Sequence, residues 1–309
     1  MKTAFLFPGQ GSQYQGMGKS LAAQFPVARQ VFEEADETLG FSLSTLCFEG
    51  PDENLKLTEN TQPALLAVST AASRVLAESG LRPDYVAGHS LGEYSALVAA
   101  GSLAFADALK LVRKRGRYMQ EAVPAGVGAM AALLKLPPGK LDTILSDAAQ
   151  GEVVSAANLN SPDQVVIAGH AGAVQRSVEL AKSAGARRAV LLQVSAPFHC
   201  SLMKPAQERL SMDLNATEFD DLAVPLVNNW AAQIVRTGTE AREGLYHQVP
   251  NPVRWADSIG VLSAEGVTRF IEVGAGNVLT GLLRNINPVL SGLKFGEAED
   301  LEKIHAAVA

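Results

Sequence analysis

Only two cysteines occur in the chain, Cys47 and Cys200. That is too few for a disulfide framework, so covalent staples are excluded as the basis of the fold and a reducing compartment is expected. Long apolar runs are missing too. No stretch approaches the roughly 18 residues needed to span a bilayer, which argues against a membrane role. Near the start, Lys2 precedes the short apolar run Phe5-Leu6-Phe7, and Pro8 and Gly9 end it well short of a signal-peptide core. A cytoplasmic location is expected. Basic charge is scarce: 26 Lys and Arg stand against 32 Asp and Glu, for a net charge of -6. Nucleic acid is disfavoured as a partner, because phosphate binding needs a concentrated basic surface. No His, Cys or carboxylate cluster has metal-ligand spacing, so no metal site is expected.

What remains is an ordinary globular composition, 47% hydrophobic and 19% charged, enough for a sizeable core. Short apolar runs alternate with amphipathic stretches, the pattern of an α/β protein with a mostly parallel sheet. The pattern predicts a strand at 4–7, a helix at 62–79 with Pro63 in its first turn, a strand at 85–87 and a helix at 93–100. In the middle, strands at 127–134, 153–158, 164–169 and 188–194 interleave with helices at 138–149 and 171–184. That βαββαβ order is the ferredoxin-like one, and it predicts a small subdomain of roughly 70 residues inserted into a larger α/β domain. The expected division is 1–124 with 196–309 for the large domain and 125–195 for the insert.

Gly88-His89-Ser90-Leu91-Gly92 fits G-x-S-x-G, the nucleophile elbow, between a predicted strand and a predicted helix. A sharp turn there strains the serine backbone and exposes Oγ, and glycines on either side avoid clashes across it. A plain Gly-Ser turn is the bland alternative. Ser90 needs a base. Of the five histidines, His89 adjoins the serine and should point elsewhere, while His305 lies near the end of the chain. His199 follows the last predicted strand of the insert through Ser195-Ala196-Pro197-Phe198, which places it at a strand's carboxyl end, where catalytic groups of open α/β sheets gather. A structural loop histidine is the alternative there. Cys200 beside it lacks an elbow and reads as structural.

In the helix predicted from about 106 to 119, Arg115 shares a face with Ala108, Leu111, Val112, Tyr118 and Met119, while Arg113, Lys114 and Arg117 face outward. An inward guanidinium needs an anion, either an internal Asp or Glu or a substrate carboxylate held in a fork. The Gly-rich loop after the first strand fits neither a dinucleotide fingerprint, since Tyr14 stands at the third glycine position, nor a P-loop. It is suited instead to offer a backbone N–H to an oxyanion, together with the N–H of Leu91.

The motifs FPGQGSQ, TQPALL, AGHSLGEYSALVAAG, VRKRGRYMQEAVP, NSPDQVVIAG, FHCSLMKPA and EVGAGNVLTGL occur in this order. The chain thereby resembles the malonyl-CoA:acyl carrier protein transacylases of fatty acid synthesis, from end to end. The resemblance implies an α/β-hydrolase-like large domain with a ferredoxin-like insert. It implies that Ser90 is the nucleophile, His199 the base and Gln248 the residue whose backbone carbonyl orients the histidine. It assigns Gln10 and Leu91 to the oxyanion hole, Arg115 to the malonyl carboxylate, and Gln62 and Asn158 to the vicinity of the substrate. Phe198 before the histidine goes with malonyl rather than methylmalonyl in related polyketide acyltransferases, although Ala196 and Pro197 depart from that signature. No bound cofactor is implied; malonyl-CoA and the phosphopantetheine-bearing acyl carrier protein are the substrates. The carrier protein, acidic as a class, would dock on a local basic patch, for which Arg113, Lys114, Arg117, Lys182, Arg187 and Arg188 are candidates. An esterase or thioesterase, an inactive carrier-binding scaffold, or the same transfer in a polyketide or malonate decarboxylase system are the competing readings.

Overall fold

The computed structural model describes residues 1–194 and 196–308. Ser195, the last residue of the expected insert, and Ala309, the last of the expected large domain, lie outside the described residues. The strands are β1 (Lys2–Phe7), β2 (Tyr85–Gly88), β3 (Gly128–Leu134), β4 (Val154–Ser161), β5 (Gln164–His170), β6 (Arg188–Leu191), β7 (Leu226–Val227), β8 (Ile234–Val235), β9 (Val267–Val273) and β10 (Gly292–Phe295). Six of them form one sheet in the order β10-β9-β1-β2-β7-β8, and all neighbours are parallel except β7 and β8.

β1 lies at the centre and is buried from Thr3 to Phe7, as its unbroken apolar run requires of a strand covered on both faces. Its register with β2 runs from Ala4 opposite Tyr85 to Phe7 opposite Gly88. The two strands therefore end level, and the loop after β1 and the turn after β2 emerge side by side.

The other four strands form an antiparallel sheet in the order β4-β5-β3-β6, the ferredoxin-like order. Period-2 alternation divides its two faces. Ala131, Leu133 and Ile167 pack under the helices Leu141–Ala149 and Ala171–Ser183, whereas Met130, Ala132, Val166 and Ala168 join the main core. This second contact seats the small sheet over the carboxyl ends of β1 and β2.

Element boundaries differ from the sequence pattern in several places: β1 starts at Lys2 and β4 runs on to Ser161. The helix expected from 62 runs from Thr58 to Glu78, with Pro63 inside it. Proline's preference for a first turn suggested the later start. The extra turn packs against the Phe105–Glu121 helix at Gly116, where a Cβ would come within 2.7 Å of the Thr58 carbonyl. The helix expected from 138 begins at Leu141, and β6 ends at Leu191, before the apolar residues Leu192 and Val194 that line the cleft below.

Candidate active site

Ser90 sits on left-handed backbone, φ 52°, between β2 and the helix Gly92–Ala99. A non-glycine residue there is strained and persists only where its surroundings over-determine it. The flanking glycines show what enforces the turn. A Cβ on Gly88 would lie 1.9 Å from the Gly92 carbonyl, and one on Gly92 would lie 2.0 Å from the Phe7 carbonyl. Asn229 latches the turn from outside: its Oδ1 accepts the Ser90 N–H at 2.7 Å, and its Nδ2 donates to the Gly88 carbonyl at 2.6 Å. A Gly88→Ala substitution is expected to cost about 3 kcal/mol or more of stability, because the new methyl meets backbone that has nowhere to go; denaturant unfolding checks it, and a loss within 1 kcal/mol would mean the turn is loose.

His199 is also left-handed, φ 59°. Its Nε2 stands 2.7 Å from Ser90 Oγ, and its Nδ1 lies 3.0 Å from the backbone carbonyl of Gln248. A carbonyl only accepts, so Nδ1 carries the hydrogen and Nε2 presents its lone pair to the serine hydroxyl. Burial, followed by the nearby Arg115 charge, pushes the imidazole down to about 3. It is therefore a neutral base throughout the physiological range. Cys200 is buried, donates to the Pro197 carbonyl, and is pushed up to about 11 by burial, which keeps it a thiol. His89 turns away from Ser90, pairing with Asn160 at 2.8 Å and packing beside Trp255. His305 lies on the last helix, Asp300–Val308.

Arg115 is 1% exposed at the floor of the site. Nη1 donates to Gln62 Oε1 at 2.9 Å, while Nη2 donates to Gln248 Oε1 at 2.8 Å and to Ser90 Oγ at 3.1 Å. Nε has no partner among the described residues. All three acceptors are uncharged. Burial lowers the guanidinium's pKa, but an arginine stays protonated in proteins. The inward charge thus keeps its capacity for an anion.

The loop after β1 lies against the elbow, where a Cβ on Gly9 would come within 2.4 Å of the His89 carbonyl. Gln10 and Leu91 both line the cleft, and among the described residues neither backbone N–H donates a hydrogen bond to another backbone group. By contrast, the amides of Ser90 and Gly92 on the same turn are both satisfied. Gln10, Gln62, Asn158 and Phe198 join Ser90, Leu91, Arg115 and His199 around one cleft. Gln248 stands just behind them, fully buried. Met130 on β3 and Asn158 on β4 bring in the small sheet, so the mouth opens between the two sheets. Among the described residues no three His, Cys, Asp or Glu side chains are grouped so as to hold a metal ion.

Sequence reasoning did not single out Asn229 or Glu93. Asn229 follows β7 with no motif around it, and only the sheet order reveals that it lands beside the elbow. Glu93 falls inside the quoted GHSLGEYSAL stretch, but an acidic residue in a first helical turn ordinarily reads as a solvated partner of the helix dipole.

Comparison with known proteins agrees over nearly the whole chain. A family described as the acyl transferase domain matches residues 4–288. A malonyl CoA-acyl carrier protein transacylase of Bacillus subtilis is 51% identical over 302 residues, covering 97% of this chain and 95% of that protein. The crystal structure of an acyl carrier protein S-malonyltransferase from Vibrio cholerae superposes with a TM-score of 0.96 at 48% identity, covering 98% of this chain and 100% of the other. A malonyl-transacylase solved in complex with its type II polyketide acyl-carrier protein gives the same TM-score at 46% identity, with 98% of each chain covered.

Proposed function

Because this chain belongs to the acyl transferase family, among the malonyl-CoA:acyl carrier protein transacylases, we propose that it works by a ping-pong transfer in which Ser90 carries the malonyl group as an ester. The enzyme is an acyl carrier protein S-malonyltransferase, and malonyl-CoA and acyl carrier protein are its substrates. The observation that carries the serine mechanism is the chain of contacts from Ser90 Oγ to His199 Nε2 and from Nδ1 to the Gln248 carbonyl.

His199 Nε2 takes the Ser90 proton as Oγ attacks the thioester carbonyl. The resulting oxyanion is received by the Gln10 and Leu91 amides. Collapse expels coenzyme A, which leaves with the proton from His199. Acylation ends the Arg115 contact to the Ser90 hydroxyl, and the guanidinium then holds the malonyl carboxylate. In the second half His199 takes the proton of the phosphopantetheine thiol, the sulfur attacks the ester carbonyl, and the proton returns to Ser90 Oγ. Nδ1 needs only a carbonyl behind it, because the imidazolium exists only while the oxyanion does. Gln62 steadies Arg115, and Asn158 and Phe198 shape the acyl pocket. Residues 125–195 act as an inserted unit whose inner face roofs the site, with 1–124 and 196–309 as the body. That division is supported by the four-stranded sheet, which falls wholly between residues 128 and 191. No cofactor is bound in this scheme. The reaction supplies the extender unit of fatty acid synthesis in the cytoplasm; among the described residues no helix is long and apolar enough to cross a membrane.

The acidic carrier protein docks on Arg187 and Arg188. Among the other candidates, Lys114 pairs with Asp213, Arg117 with Glu121 and Lys182 with Glu179, while Arg113 covers Phe41. Arg187 and Arg188 form no ion pair among the described residues and border an open groove, in which Lys135 pairs with Asp163, and β6 leads from them to the cleft mouth at Leu192. Charge reversal at both is expected to raise KM for carrier protein about tenfold at low salt, an effect that shrinks as salt is added; a salt-independent change would place docking elsewhere. Mixing the enzyme with malonyl-CoA and holo carrier protein tests the transferase reading as a whole. Malonyl carrier protein is the expected product, and free malonate without it would mark a hydrolase.

A further inference from the structure

Glu93 is 1% exposed, three residues past Ser90, and the transfer chemistry leaves it without a task. Its Oε2 accepts two hydrogen bonds, from the Asn229 N–H at 3.0 Å and from Gln248 Nε2 at 2.8 Å. Its Oε1 has no hydrogen-bond partner among the described residues and faces Gly244, where a Cβ would still clear it by 3.6 Å. The Gln248 amide thus spans two opposite charges, with Oε1 on Arg115 and Nε2 on Glu93. Turned over, it would set N–H groups against the guanidinium and an oxygen against the carboxylate, so both charges fix its orientation.

A buried guanidinium with no counter-charge is very costly. A direct fork onto a carboxylate would cancel that cost but would occupy the donors a substrate needs. Here the charge is balanced from one side chain further back, and the working face of Arg115 meets only neutral acceptors. We infer that Glu93 is the resting counter-charge of Arg115, a positioning residue that holds the guanidinium through Gln248 in the empty enzyme and gives way to the malonyl carboxylate by taking a proton from solvent on its vacant Oε1. The inference rests on the reading of Arg115 as the malonyl carboxylate site.

The charge count explains the exchange. Arg115 and Glu93 sum to zero in the empty site, malonyl would add one negative charge, and one proton restores neutrality. Oε1 receives that proton without disturbing either bond at Oε2. Burial pushes the Glu93 carboxyl up to about 7, against the bonds from Gln248 and Asn229 and the Arg115 charge, so the proton is available near neutral pH. Arg115 from the Phe105–Glu121 helix and the Tyr94 phenol on its own helix are the charged or titratable groups acting on it. The groups that Asn229 and the Gly238–Gln248 helix bring against it, the Asn229 N–H, the Gln248 amide and Gly244, are neutral.

Proton uptake and malonyl loading are then reciprocally linked. Loading takes up a proton only where Glu93 begins ionised. The ratio of malonyl-Ser90 to free enzyme, read by intact mass after acid quench at fixed malonyl-CoA and coenzyme A, is therefore flat below pH about 7. Between pH 7 and 8 it falls, by up to about tenfold per unit, while the released thiol remains protonated. Glu93→Gln is a neutral isostere that keeps both bonds at Oε2. It is expected to flatten this profile and to lower KM for malonyl-CoA about tenfold at pH 8, with a lower kcat because the acyl group is held more tightly. A flat wild-type profile overturns the inference, as does a Glu93→Gln enzyme whose KM is unchanged or higher. The wild-type arm requires no variant, so it decides the matter if the substitution prevents folding. Absence of any malonyl-Ser90 in the wild type would instead sink the reading of the site itself.

Discussion

Replacing His199 with alanine is expected to slow acylation of Ser90 by malonyl-CoA about ten-thousand-fold, the upper range for loss of a positioned general base. The expectation follows from geometry: Nε2 is 2.7 Å from Oγ and has its lone pair free, because Nδ1 is committed to the Gln248 carbonyl. Stopped-flow or quench measurements of acylation check it, and a loss below tenfold would point to another base. The pH profile carries a sign as well. Burial holds His199 at about 3, so kcat/KM shows no acid limb at the ordinary imidazole value of 6.5. The same depression bears on stability. The unfolded chain binds a proton at His199 that the folded enzyme refuses, so its contribution is complete above pH 6.5 and is lost progressively as pH falls towards 3.

Arg115→Ala is expected to lower kcat/KM for malonyl-CoA about a thousandfold while changing acetyl transfer little. A site built around a charge discriminates strongly, because the wrong substrate leaves that charge unmatched. In the structure Arg115 meets Gln62, Gln248 and the Ser90 hydroxyl, and among the described residues no carboxylate hydrogen-bonds to it. Parallel malonyl and acetyl kinetics on wild type and variant test this. Equal losses would reassign Arg115 to an internal role, with Glu93 as its permanent partner.

The elbow was legible in the sequence because its constraint is local: a strand, a serine, a helix, and glycines whose Cβ atoms have no space. The inward face of Arg115 was legible for the same reason, since helical period alone aims it at the core. What holds these groups was not. Asn229, Gln248 and Glu93 form one network behind the nucleophile, but Glu93 is separated from the other two by more than a hundred residues, and they come together only through the fold of the large domain. The choice between an internal carboxylate and a substrate carboxylate for Arg115 was likewise open; the structure places an internal acid, Glu93, one amide away from it. Helix starts were misjudged where tertiary contact overrides local preference, as at Thr58, whose backbone approaches Gly116.

The most direct test of a malonyl ester on Ser90 is the intact mass of the protein after brief exposure to malonyl-CoA, compared between wild type and Ser90→Ala. Wild type should gain the mass of one malonyl group, lose it on addition of holo carrier protein, and Ser90→Ala should gain nothing. An adduct of equal size on Ser90→Ala, or none on the wild type while transfer proceeds, would contradict the serine mechanism.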